Sequence, residues 1–112
     1  MIKPTIEYPD FAKLDLRVGT ILEATEVAGS EKLIKMTVDL GEEVGKRTIL
    51  AGIKAFYATK DLIGRQLIIL VNLAPKKMLT EESQGMLLAA DTEGKPFLLM
   101  PDSVVPAGTI IK

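Results

Sequence analysis

Polar and apolar residues alternate along much of this chain with a period of two, the pattern of strands that bury one face. Leu14, Leu16 and Val18 share one side, and Asp15 and Arg17 the other. Gly19 interrupts the run. A glycine inside a strand commonly marks a bulge or bend, so one long bent strand is expected, with Ile21 and Leu22 continuing its apolar set and an end near Val27. A turn at Ala28–Glu31 leads to a second strand from Leu33 to Leu40, with Ile34, Met36, Val38 and Leu40 on one face and Lys35, Thr37 and Asp39 on the other. Gly41–Gly45 turns the chain, and Thr48–Ala51 is a third, short strand. Tyr57–Gly64 reads as one or two helical turns, with Thr59 as N-cap, Asp61 in the first turn and Gly64 just past the end. Leu67–Val71 is a continuous apolar run rich in β-branched residues, which predicts a strand buried on both sides. Met86–Ala90 is a fifth strand. Asp91–Pro96 turns into Phe97–Met100 as a hairpin partner, and Thr109–Ile111 is a last short strand.

Residues 1 to 10 hold Pro4 and Pro9 and little pattern, so an arm over 1–9, ordered late or not at all, precedes a single domain over 10–112. The order of elements is all-β: five strands, a short helix between the third and fourth, and an appended C-terminal hairpin. That is the order of the OB-fold, a five-stranded, partly open Greek-key barrel that often binds oligonucleotides across strands two and three and between the loops joining strands 1–2 and 4–5.

Composition narrows the chemistry. The chain has 112 residues, 47% of them hydrophobic, enough for one core. It has no cysteine and no histidine, which excludes zinc-finger sites, thiol nucleophiles and histidine acid–base catalysis. Neither a dinucleotide-binding nor a phosphate-loop glycine motif occurs, and the carboxylate spacing at Glu42–Glu43 and Glu81–Glu82 is not that of an EF-hand. No enzyme, metal or cofactor is expected. No stretch reaches the roughly 18 uninterrupted apolar residues of a membrane span, and the N-terminus lacks the apolar core of a signal peptide, so a cytoplasmic protein with no membrane partner is expected. The formal net charge is −1, unlike a general polyanion binder, so any nucleic-acid site must gather cations on one face. Lys46–Arg47 and Lys76–Lys77 are the adjacent basic pairs.

Placed on the expected barrel, Lys32 lies in the 1–2 loop. Lys76, Lys77, Ser83 and Gln84 lie in the 4–5 connection, and Arg17 and Lys35 on adjoining outer faces. Lysines supply charge to phosphates, and short donors such as Ser83 and Gln84 reach phosphate or 2′-hydroxyl oxygens. Plainer readings stand beside this one: Lys76–Lys77 as a solvated turn, Ser83–Gly85 as a turn into a strand, and the methionines as core filler. Tyr8, Phe11, Phe56, Tyr57 and Phe97 are the aromatics, and none falls in the middle of strands two or three. Base stacking of the kind single-strand binders use is therefore not expected, and recognition would rest on backbone shape and charge.

Asp10–Ile21 (DFAKLDLRVGTI), Glu31–Leu33, Val38–Gly41, Leu50–Ile53, Val71–Met78 (VNLAPKKM) and Ser83–Ala90 (SQGMLLAA) together resemble a tRNA-binding OB domain. That domain is found at the C-terminus of many methionyl-tRNA synthetases, as small free-standing tRNA-binding proteins, and in the endothelial monocyte-activating polypeptide. The resemblance runs from about Asp10 to the C-terminus. It implies a non-catalytic protein that binds tRNA by shape near its outer corner. It further implies a homodimer that aids a synthetase of the methionyl type as subunit or appended domain. By motif match it makes Lys32, Asn72, Lys77, Ser83 and Met86 tRNA contacts; Lys35, Lys76, Arg17 and Gln84 are added by position. The chain departs from the family at Val27–Ser30, where a His-Pro pair is common, at Ala74, where lysine is common, and at Leu79–Thr80, where Arg-Gly is frequent. Each lost phosphate contact reduces the salt slope of binding by roughly one.

The appended hairpin, Phe97–Met100, would either join two copies or cap the barrel's open end. A start at Met1 with a short arm reads as a free-standing protein or subunit, though a piece of a synthetase would read the same. The competing function comes from a related secretion-chaperone family that shares the strand-one pattern and binds unfolded polypeptide.

Overall fold

A computed structural model describes all residues, Met1–Lys112. A short helix, α1 (Tyr8–Phe11), precedes strands β1 (Leu16–Glu26) and β2 (Ile34–Asp39), a helical turn α2 (Gly41–Val44), and β3 (Lys46–Ala51). Helix α3 (Thr59–Leu62) and β4 (Gln66–Leu70) follow. Then come a hairpin of β5 (Lys76–Met78) and β6 (Glu81–Ser83), the barrel strand β7 (Met86–Leu87), a second hairpin of β8 (Ala89–Thr92) and β9 (Lys95–Leu98), and β10 (Ile110–Ile111). The main sheet runs β3-β2-β1-β4-β7 with β10 beside β1, and every pairing in it is antiparallel. This is the expected all-β OB architecture with its helix between strands three and four.

The alternation read from β2 is the alternation observed. Ile34, Met36, Val38 and Leu40 have no solvent exposure and meet Ile49, Leu67 and Ile69 in the core, while Leu62 of α3 enters the same cluster. Each such side chain contributes about 1.5–3 kcal/mol by leaving water. β4 is buried on both sides apart from Ile68, as its continuous apolar run implies.

Several expectations need correction. Gly19 is not the bend: it stays in register opposite Leu67, and the shift in pairing comes between Ile21 and Glu23, so Leu22 faces outward. A Cβ on residue 19 would lie 2.4 Å from Val38 Cγ1 and 2.9 Å from Leu40 Cδ2, so glycine is required there by packing across the sheet. Leu14 precedes β1 and is exposed. The N-cap of α3 is Ala58, not Thr59, while Gly64 does take the left-handed φ of +90° expected past the helix end. The arm is not featureless, because its last residues enter α1, where Asp10 Oδ2 accepts the Glu7 amide at 3.2 Å. The expected fifth strand divides: Met86–Leu87 pairs with β4, whereas Ala89 onward leaves the barrel to pair with β9. The β5–β6 hairpin, set inside the 4–5 connection, has no counterpart in the sequence reading.

Candidate nucleic-acid interface

β3 and β7, the two ends of the sheet, are not joined by a regular ladder. Ser83 and Gln84 bridge them instead. Ser83 Oγ accepts the Leu50 amide at 3.0 Å and donates to the Gly85 carbonyl at 2.9 Å. Gln84 Oε1 accepts the Thr48 amide at 2.9 Å, and the Gln84 amide donates to the Thr48 carbonyl at 2.8 Å. The Arg47 guanidinium then donates to the carbonyls of Val71 and Gln84, tying both ends of the 4–5 connection to β3. Gly85, at φ +145°, could carry no Cβ without crowding Leu70 O at 3.0 Å and Ile49 Cδ1 at 3.1 Å. The Ser-Gln-Gly tripeptide is thus the closure of the barrel.

Above that closure the β5–β6 hairpin lies over the outer face of β3. Lys76 pairs with Ser83 and Met78 with Glu81, so these four share the barrel-facing side of the ribbon, whereas Lys77 and Glu82 oppose each other on the other side. Leu50 stands on the outer face of the sheet, opposite Lys35, yet is buried, because the hairpin covers it. Under the hairpin a recess of about 120 Å³ is lined by Leu50, Leu73, Met78 and Met86, with Lys76 at its side. Leu79, at the hairpin's turn, reaches a second, open cleft of about 560 Å³ shared with Gly29–Leu33 and Gly52. The 1–2 loop there is fixed by Ser30, whose Oγ accepts the amides of Lys32 and Leu33 at 3.2 and 3.0 Å.

The charges sort into two groups. Lys35 Nζ is 3.1 Å from Glu81 Oε1 and Lys54 Nζ is 3.3 Å from Glu26 Oε1. Arg17 Nε donates to Asp15 at 2.8 Å, and Arg17 also pairs with Glu43. These bonds, Asp15 first, hold the Arg17 guanidinium well above its ordinary range, so its charge is already engaged within the fold. Lys32, Lys76 and Lys77 enter no ion pair. Lys32 lines the cleft from the 1–2 loop, Lys76 lines the recess under the hairpin, and Lys77 stands on the hairpin's outward side.

The nine residues singled out by sequence therefore have different surroundings. Lys32 lines the cleft, Lys76 and the half-exposed Met86 line the recess, Lys77 faces outward from the hairpin, and Lys35 reaches the hairpin through its ion pair with Glu81. Ser83 and Gln84 close the barrel. Asn72 staples the chain before β1, its Oδ1 accepting the Asp15 amide at 2.9 Å and its Nδ2 donating to the Lys13 carbonyl at 2.7 Å. Arg17 sits at the β10 edge of β1, held by its carboxylates. Sequence reasoning missed Arg47 and Leu79. Arg47 carried a hint, as half of a basic pair just before the expected third strand, which in the structure begins at Lys46; Leu79 carried one only as a departure from the family's Arg-Gly, because a leucine is a poor turn residue.

The chain matches the family described as "Putative tRNA binding domain" over residues 16–110. It is 51% identical over 110 residues to a methionine–tRNA ligase of Methanothrix thermoacetophila, and 51% over 107 residues to one of Caldanaerobacter subterraneus. These alignments take in 98% and 96% of this chain but 16% of each relative, so the chain spans about a sixth of the length of the curated relatives it matches. Its fold superposes on that of a MetRS related protein from Pyrococcus horikoshii with a TM-score of 0.90 at 37% identity, covering 98% of this chain and 100% of that one. It superposes on the chaperone CsaA from Bacillus anthracis with a TM-score of 0.88 at 34% identity, covering 97% and 100%.

Proposed function

The chain belongs to the tRNA-binding domain family, and from that premise we propose that it is a non-catalytic module that grips folded tRNA by shape. The observation that carries this reading is that Lys32, which lines the open cleft, and Lys76, which lines the recess under the β5–β6 hairpin, both stand free of ion pairs in a chain of net charge −1, with Lys77 beside Lys76 on the hairpin's outward side. Lysines placed this way act as point charges on phosphates and carry no base information. Met86 and the recess beside Lys76 give the grip an apolar floor. Asn72, Ser83 and Gln84 serve by holding the walls, since their side chains are already bonded to the fold. Arg17 acts on the fold of β1 and not on the ligand.

The module works in the cytoplasm as a homodimer and raises the tRNA affinity of a methionyl-type synthetase, as subunit or appended domain. Exposed apolar side chains at Phe97, Leu99, Met100, Val104 and Ile110 support a contact between copies at the appended end. Two modest sites on one rigid dimer reinforce each other through effective concentration.

The test is a salt titration of binding to folded tRNA, with single-stranded RNA of equal length as competitor, for the native chain and for Lys76→Ala/Lys77→Ala. Preference for folded tRNA, weakened about tenfold in the double variant with a slope shallower by roughly two, is the expected result. Absence of binding by the native chain at low salt, or equal binding by the variant, overturns it. A second reading, capture of unfolded polypeptide, is favoured by the likeness to a chaperone and by the apolar recess. Competition for the chain by a reduced, unfolded protein but not by tRNA is the outcome that selects it.

A further inference from the structure

Glu81 is the one acidic residue of the β5–β6 hairpin that reaches a cation of the barrel. Its Oε1 lies 3.1 Å from Lys35 Nζ, with the Lys35 side chain 38% and the Glu81 side chain 32% exposed. Lys35 projects from the outer face of β2 beside Leu50, under the hairpin that forms one wall of the candidate interface. The pair is accessible, and Lys76, which enters no ion pair, stands on the same side of the hairpin as Glu81.

We propose that Glu81 is a specificity-determining residue: an internal carboxylate that competes with RNA phosphate for Lys35, so that only a backbone held rigidly against this face displaces it. The inference rests on the tRNA reading above. A Lys35–Glu81 pair is neutral at a distance and adds no long-range pull on a passing polyanion. A flexible single strand must order itself to replace a carboxylate that the fold already holds in place. A folded RNA docked on Lys32, Lys76 and Lys77 carries its next phosphates in fixed positions and meets no such cost. After the exchange Glu81 stays close by, so Lys35 and Glu81 together contribute no net charge, and the pair adds nothing to the salt slope. Discrimination here comes from a repulsive element as much as an attractive one.

Glu81→Gln removes the charge and keeps the shape. Relative to the native chain, affinity for folded tRNA should rise roughly two- to five-fold, the range an exposed ion pair supports, and the salt slope should steepen by about one. Affinity for single-stranded RNA of equal length should rise by a larger factor, so the ratio between the two falls. Placed on Lys35→Ala, the same substitution should have no such effect. Unchanged or weaker binding by Glu81→Gln, an unchanged ratio, or the same tightening without Lys35 overturns the inference while leaving the tRNA reading intact. Failure of the native chain to bind tRNA overturns the reading beneath it and is seen before any variant is made.

Discussion

The β5–β6 and β8–β9 hairpins both turn on two residues, and both turns open with a non-glycine residue at positive φ, Leu79 at 56° and Glu93 at 51°. In the second, Gly94 follows at 86°, the double positive φ of a turn that matches strand twist, and Asp91 Oδ1 accepts the Gly94 amide at 2.8 Å. That hairpin is specified by its own residues. It is tied to the barrel by Tyr57, whose Oη donates to the Pro96 carbonyl at 3.1 Å and accepts the Leu98 amide at 3.4 Å, and by Leu98, which packs against the core. The first hairpin has poor turn chemistry, since a leucine in the left-handed region costs roughly 1–2 kcal/mol. It is held from outside, by Arg47, Ser83 and Gln84 at its base and Lys35 near its turn. Local rules are broken at the hairpin of the proposed interface and compensated by bonds to the barrel, the arrangement expected of a functional element.

The contrast can be broken most sharply at its anchor. Ser83→Ala leaves the buried Leu50 amide without a partner and should cost about 1–3 kcal/mol in denaturant unfolding, with weaker tRNA binding as the hairpin loosens. Next, Lys95→Ala in the appended hairpin should leave tRNA binding and its salt slope unchanged, against the roughly tenfold loss expected for the Lys76/Lys77 pair; equal losses would erase the distinction between the two hairpins. Tyr57→Phe, read by thermal melting and binding together, should cost about 0.5–1.5 kcal/mol of stability and nothing in affinity. The smallest effect is Leu79→Gly, which relieves the turn and should raise stability by about 0.5 kcal/mol, while affinity falls if Leu79 serves the cleft it lines.

The sequence carried the barrel because period-two patterning and a short helix ending before a glycine are local properties. Ile34, Met36, Val38 and Leu40 announced their common face without reference to any partner. Gly19 was misread because its cause is non-local, the side chains of Val38 and Leu40 on the next strand. The β5–β6 hairpin was invisible for the same kind of reason: Lys-Lys-Met and Glu-Glu-Ser have neither strand alternation nor a turn dipeptide, and the hairpin exists through bonds to β3. For the candidate site, residue type alone did not reveal that Ser83 and Asn72 are bonded within the fold. Those bonds depend on which amide stands opposite, Leu50 in one case and Asp15 in the other.

β1 is bordered by three strands, and they are synthesised at very different times. β2 follows at once, β4 later, and β10, which pairs with Leu16 and Arg17, comes last. At ribosomal speeds of about 5–20 residues per second, one edge of early β1 waits on the order of ten seconds for its neighbour. An unpaired edge is a template for foreign strands, and charge is a common guard against it. Arg17, held by Asp15 and Glu43, sets a charged residue on that edge opposite Ile110.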